Sequence, residues 1–165
     1  MILAAIASKT AVELDGLDGI KNALNVTLGQ AFKSTSKIFT NDDGLQYLDT
    51  LKDENGRYML QPNPSDPAQM RLAAGATTIQ VVVIPNNVLE TKNAKIPFII
   101  GDLQEGIALF DRQQVNILAS NTASVTDFNA FEEDMTLLRA IEREDVEVRD
   151  TGAFVNGYIT VSESV

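Results

Sequence analysis

PFIIGDLQEGIALFDRQQVNILAS, residues Pro97 to Ser120, is the stretch whose reading decides the fold. Phe98 to Ile100 is an apolar run and Gly101-Asp102 reads as a turn. Ile107 to Phe110 is a second run ending at Asp111-Arg112, and Val115 to Leu118 is the core of a third. Short runs rich in β-branched and aromatic residues, punctuated by glycine and aspartate, predict strands joined by acidic turns. Gly101 and Gly106 lack the GxxxxGK pattern of a phosphate loop, so glycine here is read as permitting a tight turn. The stretch describes architecture without an active site.

Outward from it, Thr77 to Ile84 (TTIQVVVI) predicts a buried strand closed by Pro85-Asn86-Asn87, and Asn86 to Pro97 reads as a polar connection. Leu17, Ile20, Leu24, Leu28 and Ala31 recur at three- and four-residue steps, which predicts an amphipathic helix over Leu17 to Ala31. Lys37 to Thr40 is a strand candidate. Asn41 or Asp42 can then cap a helix with apolar positions Leu45, Leu48 and Leu51, ending near Asn55-Gly56. The same Asn-Gly pair is equally a hairpin turn into Arg57 to Leu60. Gln61 to Pro67, with prolines at 62, 64 and 67, predicts an exposed loop. Glu132 to Arg149 is ambiguous. Met135, Leu138 and Ile141 keep helical spacing, whereas Val146 to Arg149 alternates like a strand, and propensity favours helix in the first half. Ala153 to Val161 reads as a final strand with Gly157 as a bulge or turn. Helices first and strands later describe α+β.

Composition narrows the chemistry. A chain of 165 residues with 44% hydrophobic and 22% charged residues can bury a core without staples. Cysteine is absent, which excludes disulfides, thiolate nucleophiles and cysteine metal sites. Histidine is absent too, removing the commonest general base and the commonest transition-metal ligand. The net charge of -10, with lysines and arginines scattered rather than clustered, disfavours phosphate backbones and anionic lipid surfaces. Met1 to Ala7 is apolar but lacks a basic flank and is interrupted by Ser8-Lys9-Thr10, so it is read as the end of a helix rather than a leader or a span. No cofactor, metal, membrane or small-molecule substrate is expected.

Carboxylates gather at Asp42-Asp43, at Asp49 and Asp53, and at Glu132 to Asp134, none with the alternate-position spacing of a calcium loop. Asp111-Arg112 and the mixed-sign run holding Arg139, Glu142 and Arg143 are read as structural or intersubunit ion pairs, with Asp102 in a structural turn. Catalysis by paired carboxylates or an activated lysine has no spacing to support it.

Three segments in order, NDDGLQYLDTLKDENGRYML (Asn41 to Leu60), IPFIIGDLQEGIALFDRQQVNI (Ile96 to Ile117) and LLRAIEREDVEVRDTGAFVNGYI (Leu137 to Ile159), resemble the tailed-phage major capsid proteins of the Hong Kong phage type. The resemblance covers the chain from about Glu13 onward, and Met1 to Lys9 looks like the end of that family's long spine helix. It implies an α+β capsid-type fold: an axial-like domain over 15–118 and 152–165, and a partial peripheral-like domain over 1–14 and 119–151. It also implies that LLRAIERED is a long strand, against the propensity for helix.

The implied function is a structural shell protein that assembles with itself into pentamers and hexamers around packaged DNA, in the virion capsid, after assembly in the bacterial host cytoplasm. A cellular nanocompartment shell of the same fold is the near alternative. A carboxylate-dependent ligand-binding domain or hydrolase, suggested by the acidic excess alone, is the distant one. Family members carry an N-terminal arm, an extended loop and most of the spine helix ahead of the part matched here. The chain is therefore expected to be a C-terminal portion that is monomeric or a small oligomer and does not close a shell alone. The crosslinking lysine of some members lies in the extended loop, so no crosslinking residue is carried over.

Overall fold

A computed structural model describes residues 2–161 except 54, 65, 75, 76, 123, 126, 127 and 133; the side chains of 67, 68, 74, 77, 112–114, 124, 125 and 128 also lie outside the described set. In chain order the elements are α1 (Ile2–Ser8), β1 (Val12–Glu13), α2 (Gly16–Asn22), β2 (Lys37–Thr40), α3 (Asp42–Thr50), β3 (Leu60–Asn63), β4 (Asp66–Ala74) and β5 (Thr77–Val83). They continue with β6 (Lys95–Gly101), α4 (Leu103–Gly106), β7 (Ile107–Ser120), β8 (Ser124–Val125), β9 (Phe128–Asn129), β10 (Leu137–Val148) and β11 (Phe154–Thr160). The chain divides into a sheet unit, Ile2–Ala108 with Val148–Val165, and a ribbon unit, Leu109–Glu147.

The sheet unit is built on a mixed seven-stranded sheet in the order β1-β11-β6-β2-β5-β4-β3. Strand β6 pairs antiparallel with β11 on one side and with β2 on the other, in a register that aligns Ile100 with Val155 and Ile38. Side chains alternate across a strand. Accordingly Ile96, Phe98 and Ile100 enter one core with Ile38, Val81, Leu72 and Val155, under Ile20 and Leu24 of the α2 segment and Leu48 of α3. Ile99 turns to the opposite face, where it meets Phe154 and Ile6 of α1. Both faces of β6 are thus covered, which explains its continuous apolar sequence.

Helix α2 keeps the predicted face, with Ile20, Ala23, Leu24 and Leu28 buried, but its last turn widens over Ala23–Thr27 and the chain is extended by Leu28. Helix α3 starts as expected. Asn41 is fully buried, and its Oδ1 accepts from Gly44 N at 2.9 Å while its Nδ2 donates to Leu89 O at 3.0 Å and Thr91 Oγ1 at 2.7 Å. The cap therefore also fastens the 86–91 segment, where Thr91 Oγ1 donates onward to Asp43 at 2.6 Å.

Five expectations are corrected. Helix α3 ends at Thr50, short of Asn55-Gly56, because that pair forms the turn between Lys52 and Tyr58, which bridge one another. Gln61 to Pro67 is no loop: β3 and β4 form a hairpin with Pro62 opposite Met70. Proline is tolerated there because β3 is the edge strand, where a missing N–H breaks no ladder. Ile107 to Leu118 forms one strand, β7, so Asp111-Arg112 lies within a strand and makes no turn. The first half of the Glu132 to Arg149 segment follows the resemblance rather than propensity, because Leu137–Val148 is strand. Gly157 is neither bulge nor turn. It stays in register opposite Phe98, and a Cβ there would lie 2.8 Å from Leu14 Cδ1, so its role is to admit Leu14.

At the exit of β6, Gly101 takes φ +145 with Ala153 O only 2.3 Å from where a Cβ would sit, a placement open to glycine. The 92–95 corner is a two-residue turn with Asn93 at φ 53 and Ala94 at φ 57, closed by the Lys92–Lys95 bridge. Asparagine suits that conformation, but alanine carries a Cβ penalty of about 1–2 kcal/mol. Ala94→Gly is expected to stabilise the protein by about 0.5–1 kcal/mol after the added freedom of the unfolded chain is subtracted. Urea titration reads this as a higher midpoint at an unchanged m-value; a lower midpoint contradicts it.

Candidate assembly surface

The chain segments that flank the ribbon unit in sequence are tied together at a root within the sheet unit. Helix α4 is capped by Asp102, whose Oδ1 accepts from Gln104 N at 3.0 Å and Glu105 N at 3.3 Å. Gly106 O then accepts from Arg149 N at 2.9 Å and from Asp150 N at 3.3 Å, tying the outgoing chain to the returning one. The exposed Arg149 and Glu105 side chains pair across the same point at 3.3 Å. Ile107 and Val148 pack beside Phe154 and Ile99, so the root belongs to the sheet unit's second core.

Beyond it, β7 and β10 make a two-stranded sheet, and β8 and β9 make another. Period-two alternation places Leu109, Val115 and Ile117 on one face of β7 and Phe110 and Leu118 on the other; all five are more than half exposed. Phe131 (77%), Leu138 (69%) and Met135 (54%) are exposed as well. Among the described hydrophobic residues of this unit only Ala130 is buried. Isolated exposed apolar residues are ordinary, but a concentration on both faces of a two-stranded ribbon marks an interaction surface.

The six residues singled out from the sequence do not form one cluster. Asp102 is the α4 cap; the Thr35 hydroxyl lowers its carboxyl most, partial burial opposes this next, and the Glu105 and Gln104 amides and Lys37 add to the lowering, so that the group is held below the usual range. Asp111 is exposed on β7, and the side chain of Arg112 lies outside the described residues. Arg139, Glu142 and Arg143 are exposed on β10, where alternation puts both arginines on one face and Glu142 on the other. No ion pair joins any of them among the described residues. Sequence reasoning missed the Arg149–Glu105 pair, whose partners lie 44 residues apart with no local spacing to reveal them. The exposed apolar face of β7 was legible in principle, since IALF and VNILA place apolar residues at odd and even positions alike.

Clefts lined by described residues of the sheet unit differ in polarity. One of about 530 Å³ is lined by Ser34, Thr35, Lys37, Arg71, Asp102 and Gln104 among others. Another, of about 310 Å³, runs along Leu3, Ile6, Val88, Leu89 and Ile99. Asp102 is engaged as a cap and held ionised, which makes it a poor proton acceptor. Among the described residues no three acidic groups gather where they could hold a metal ion, and no helix is long and apolar enough to cross a membrane.

A family model for the Phage capsid family matches residues 2–158. Among solved structures, the capsid of a native GTA particle superposes with a TM-score of 0.56 at 16% identity, over 92% of this chain and 49% of that one. The capsid of an empty GTA particle gives 0.55 at 17% identity, over 87% and 44%. A structure from Microbacterium phage Oxtober96 gives 0.50 at 19% identity, over 96% and 53%. At these identities the likeness is one of fold, and the chain spans about half the length of each. No curated protein matches it.

Asp102 has a depressed carboxyl pKa in the fold, so its contribution is present above the ordinary value of 3.8 and is lost as pH falls through the folded value. Asp102→Ala is expected to cost about 0.5–1 kcal/mol at neutral pH, the low end for a cap because the group is largely solvated. Paired urea melts should show the gap to the unaltered protein narrowing below pH 3.8; a gap that widens there contradicts the assignment.

Proposed function

Because the chain belongs to the phage capsid family, we propose that it forms part of a structural shell protein whose copies associate through the apolar ribbon, in the virion capsid of a tailed phage or phage-like particle. The observation that carries this reading is the exposure of Leu109, Phe110, Val115, Ile117 and Leu118 on both faces of one strand. A strand buried on one face only would serve a single neighbour. This one offers apolar area on either side, as a subunit between two others requires.

Burying one exposed leucine or phenylalanine contributes roughly 1.5–3 kcal/mol before the cost of association is subtracted. Several such residues along one ribbon are enough to drive self-association. The charges of β10, Arg139, Glu142 and Arg143, together with Asp111 and Arg112, then select register and partner at the rim, where mixed signs meet a second copy of themselves. Asp102 acts indirectly, by capping α4 ahead of β7 within the sheet unit.

In this reading 15–118 and 152–165 are the axial-like part and 1–14 and 119–151 the peripheral-like part, arranged in pentamers and hexamers of a shell assembled in the host cytoplasm. Packaged DNA is enclosed rather than read, in keeping with the -10 charge and the scattered lysines and arginines. No catalytic role, cofactor or small-molecule substrate is proposed.

Phe131→Asp combined with Leu138→Asp places charge on the exposed apolar surface without touching either core. Sedimentation velocity is expected to show self-association weakened at least about tenfold, equivalent to about 1.4 kcal/mol, with the thermal midpoint of the sheet unit unchanged. Association that is indifferent to both substitutions would sink the ribbon as the assembly surface.

A further inference from the structure

We propose that Asn55-Gly56 is a self-modification site, at which the Asn55 amide converts to a carboxylate in the folded protein while the chain's second Asn-Gly pair, Asn156-Gly157, is protected. In the chemistry available to such a pair, the Gly56 backbone nitrogen attacks Asn55 Cγ. A new N–C bond forms, the Cγ–Nδ2 bond breaks, and ammonia departs with the proton the backbone amide gave up. Water then opens the five-membered imide at one carbonyl or the other, leaving aspartate or isoaspartate. Water is the sole co-reactant, and nothing is oxidised or reduced.

The two sites share the Asn-Gly sequence but differ in exposure, side-chain hydrogen bonding and backbone pairing. The 53–57 turn is held by Asp53: its Oδ1 accepts from Asn55 N at 2.9 Å and from Arg57 N at 2.8 Å, and its backbone exchanges bonds with Arg57 O and Gly56 N, each at 2.9 Å. The Asn55 side chain takes no part in this scaffold among the described residues, and it is exposed. Gly56 sits at φ +78 with nothing within 4 Å of a Cβ position, and glycine carries no side chain to shield its nitrogen. Only the single bond from Gly56 N to Asp53 O has to open for the attack.

Asn156 is held on both sides. Its Nδ2 donates to Lys9 O at 2.9 Å and to Ile6 O at 3.3 Å, and it is paired in register with Ile99. Gly157 is buried against Leu14, in the ladder between β1 and β6. Ring closure there requires local opening of the sheet, which confines the reaction to rare unfolded excursions. Conversion at Asn55 adds a negative charge beside Asp53 and Glu54, and isoaspartate lengthens the backbone inside a turn closed by one bridge, Lys52 to Tyr58. The proposal is independent of the assembly reading.

Tryptic cleavage separates the sites cleanly, because Asp53 to Arg57 is one peptide and Asp150 to Val165 another. The folded protein is incubated in buffer at neutral to mildly alkaline pH in heavy-oxygen water, and label uptake is followed in both peptides by mass spectrometry. Conversion at Asn55 is expected to outpace that at Asn156 by at least about tenfold, a difference of about 1.4 kcal/mol in barrier. In urea the two rates should converge. Gly56→Ala, checked for an unchanged circular dichroism spectrum, should slow the first site and leave the second alone. Equal rates in the folded protein, or an Asn55 rate indifferent to Gly56→Ala, would overturn the proposal.

Discussion

Strand β6 is held between two partners and covered on both faces, and this double confinement governs the sheet unit. Its even-numbered residues must fit the core under α2 and α3, and its odd-numbered Ile99 must fit the core beside α1. A one-residue slip would exchange the two sets, so the register with β11 and β2 is specified from both sides at once. The cost of that tightness is met at the ends of the strand. Gly101 passes the Ala153 carbonyl at a distance no side chain allows, and Pro97 sits where β2 has already ended, its carbonyl taken by the Thr40 hydroxyl at 2.9 Å.

The ribbon unit is organised on the opposite principle. Where the sheet unit buries Phe98, Phe154, Ile38 and Leu72 completely, the ribbon leaves Leu109, Phe110, Leu118, Phe131 and Leu138 largely in solvent. A two-stranded ribbon is marginal alone. The strands that enter and leave it are tied to each other inside the sheet unit, through Gly106 O and the Arg149 and Asp150 amides.

Much of this was legible in the residues. The alternation of Ile96 to Ile100, the three- and four-residue spacing of Ile20, Leu24 and Leu28, and Asn41 as a helix cap are local signals, and local physics produces what they describe. The misreadings share a cause. Pro62 cannot announce that its strand lies at an edge, and Gly157 cannot announce that Leu14 arrives from 143 positions away; each depends on a neighbour remote in sequence. Leu138 and Ile141 show helical spacing by coincidence, and only the resemblance of the whole segment identified a strand there. For the surface residues the limit is different. Arg139, Glu142 and Arg143 were recognised as a mixed-sign run, but their partners belong to whatever the ribbon meets.

The order of strands has a further consequence for how the chain comes into being. Strand β11 is synthesised after the six other strands of its sheet, yet it lies between β1 and β6, taking β1 in parallel through Val12–Gly157 and Glu13–Tyr158. Until β11 emerges from the ribosome, one edge of β6 is bare and β1 has nothing to pair with. The loop that closes this pairing spans nearly the whole chain, the kind of long-range contact that slows folding. A chain made only part of the way to Thr160 therefore leaves the backbone N–H and C=O groups along one edge of β6 unpaired, and β11 covers them once it is made.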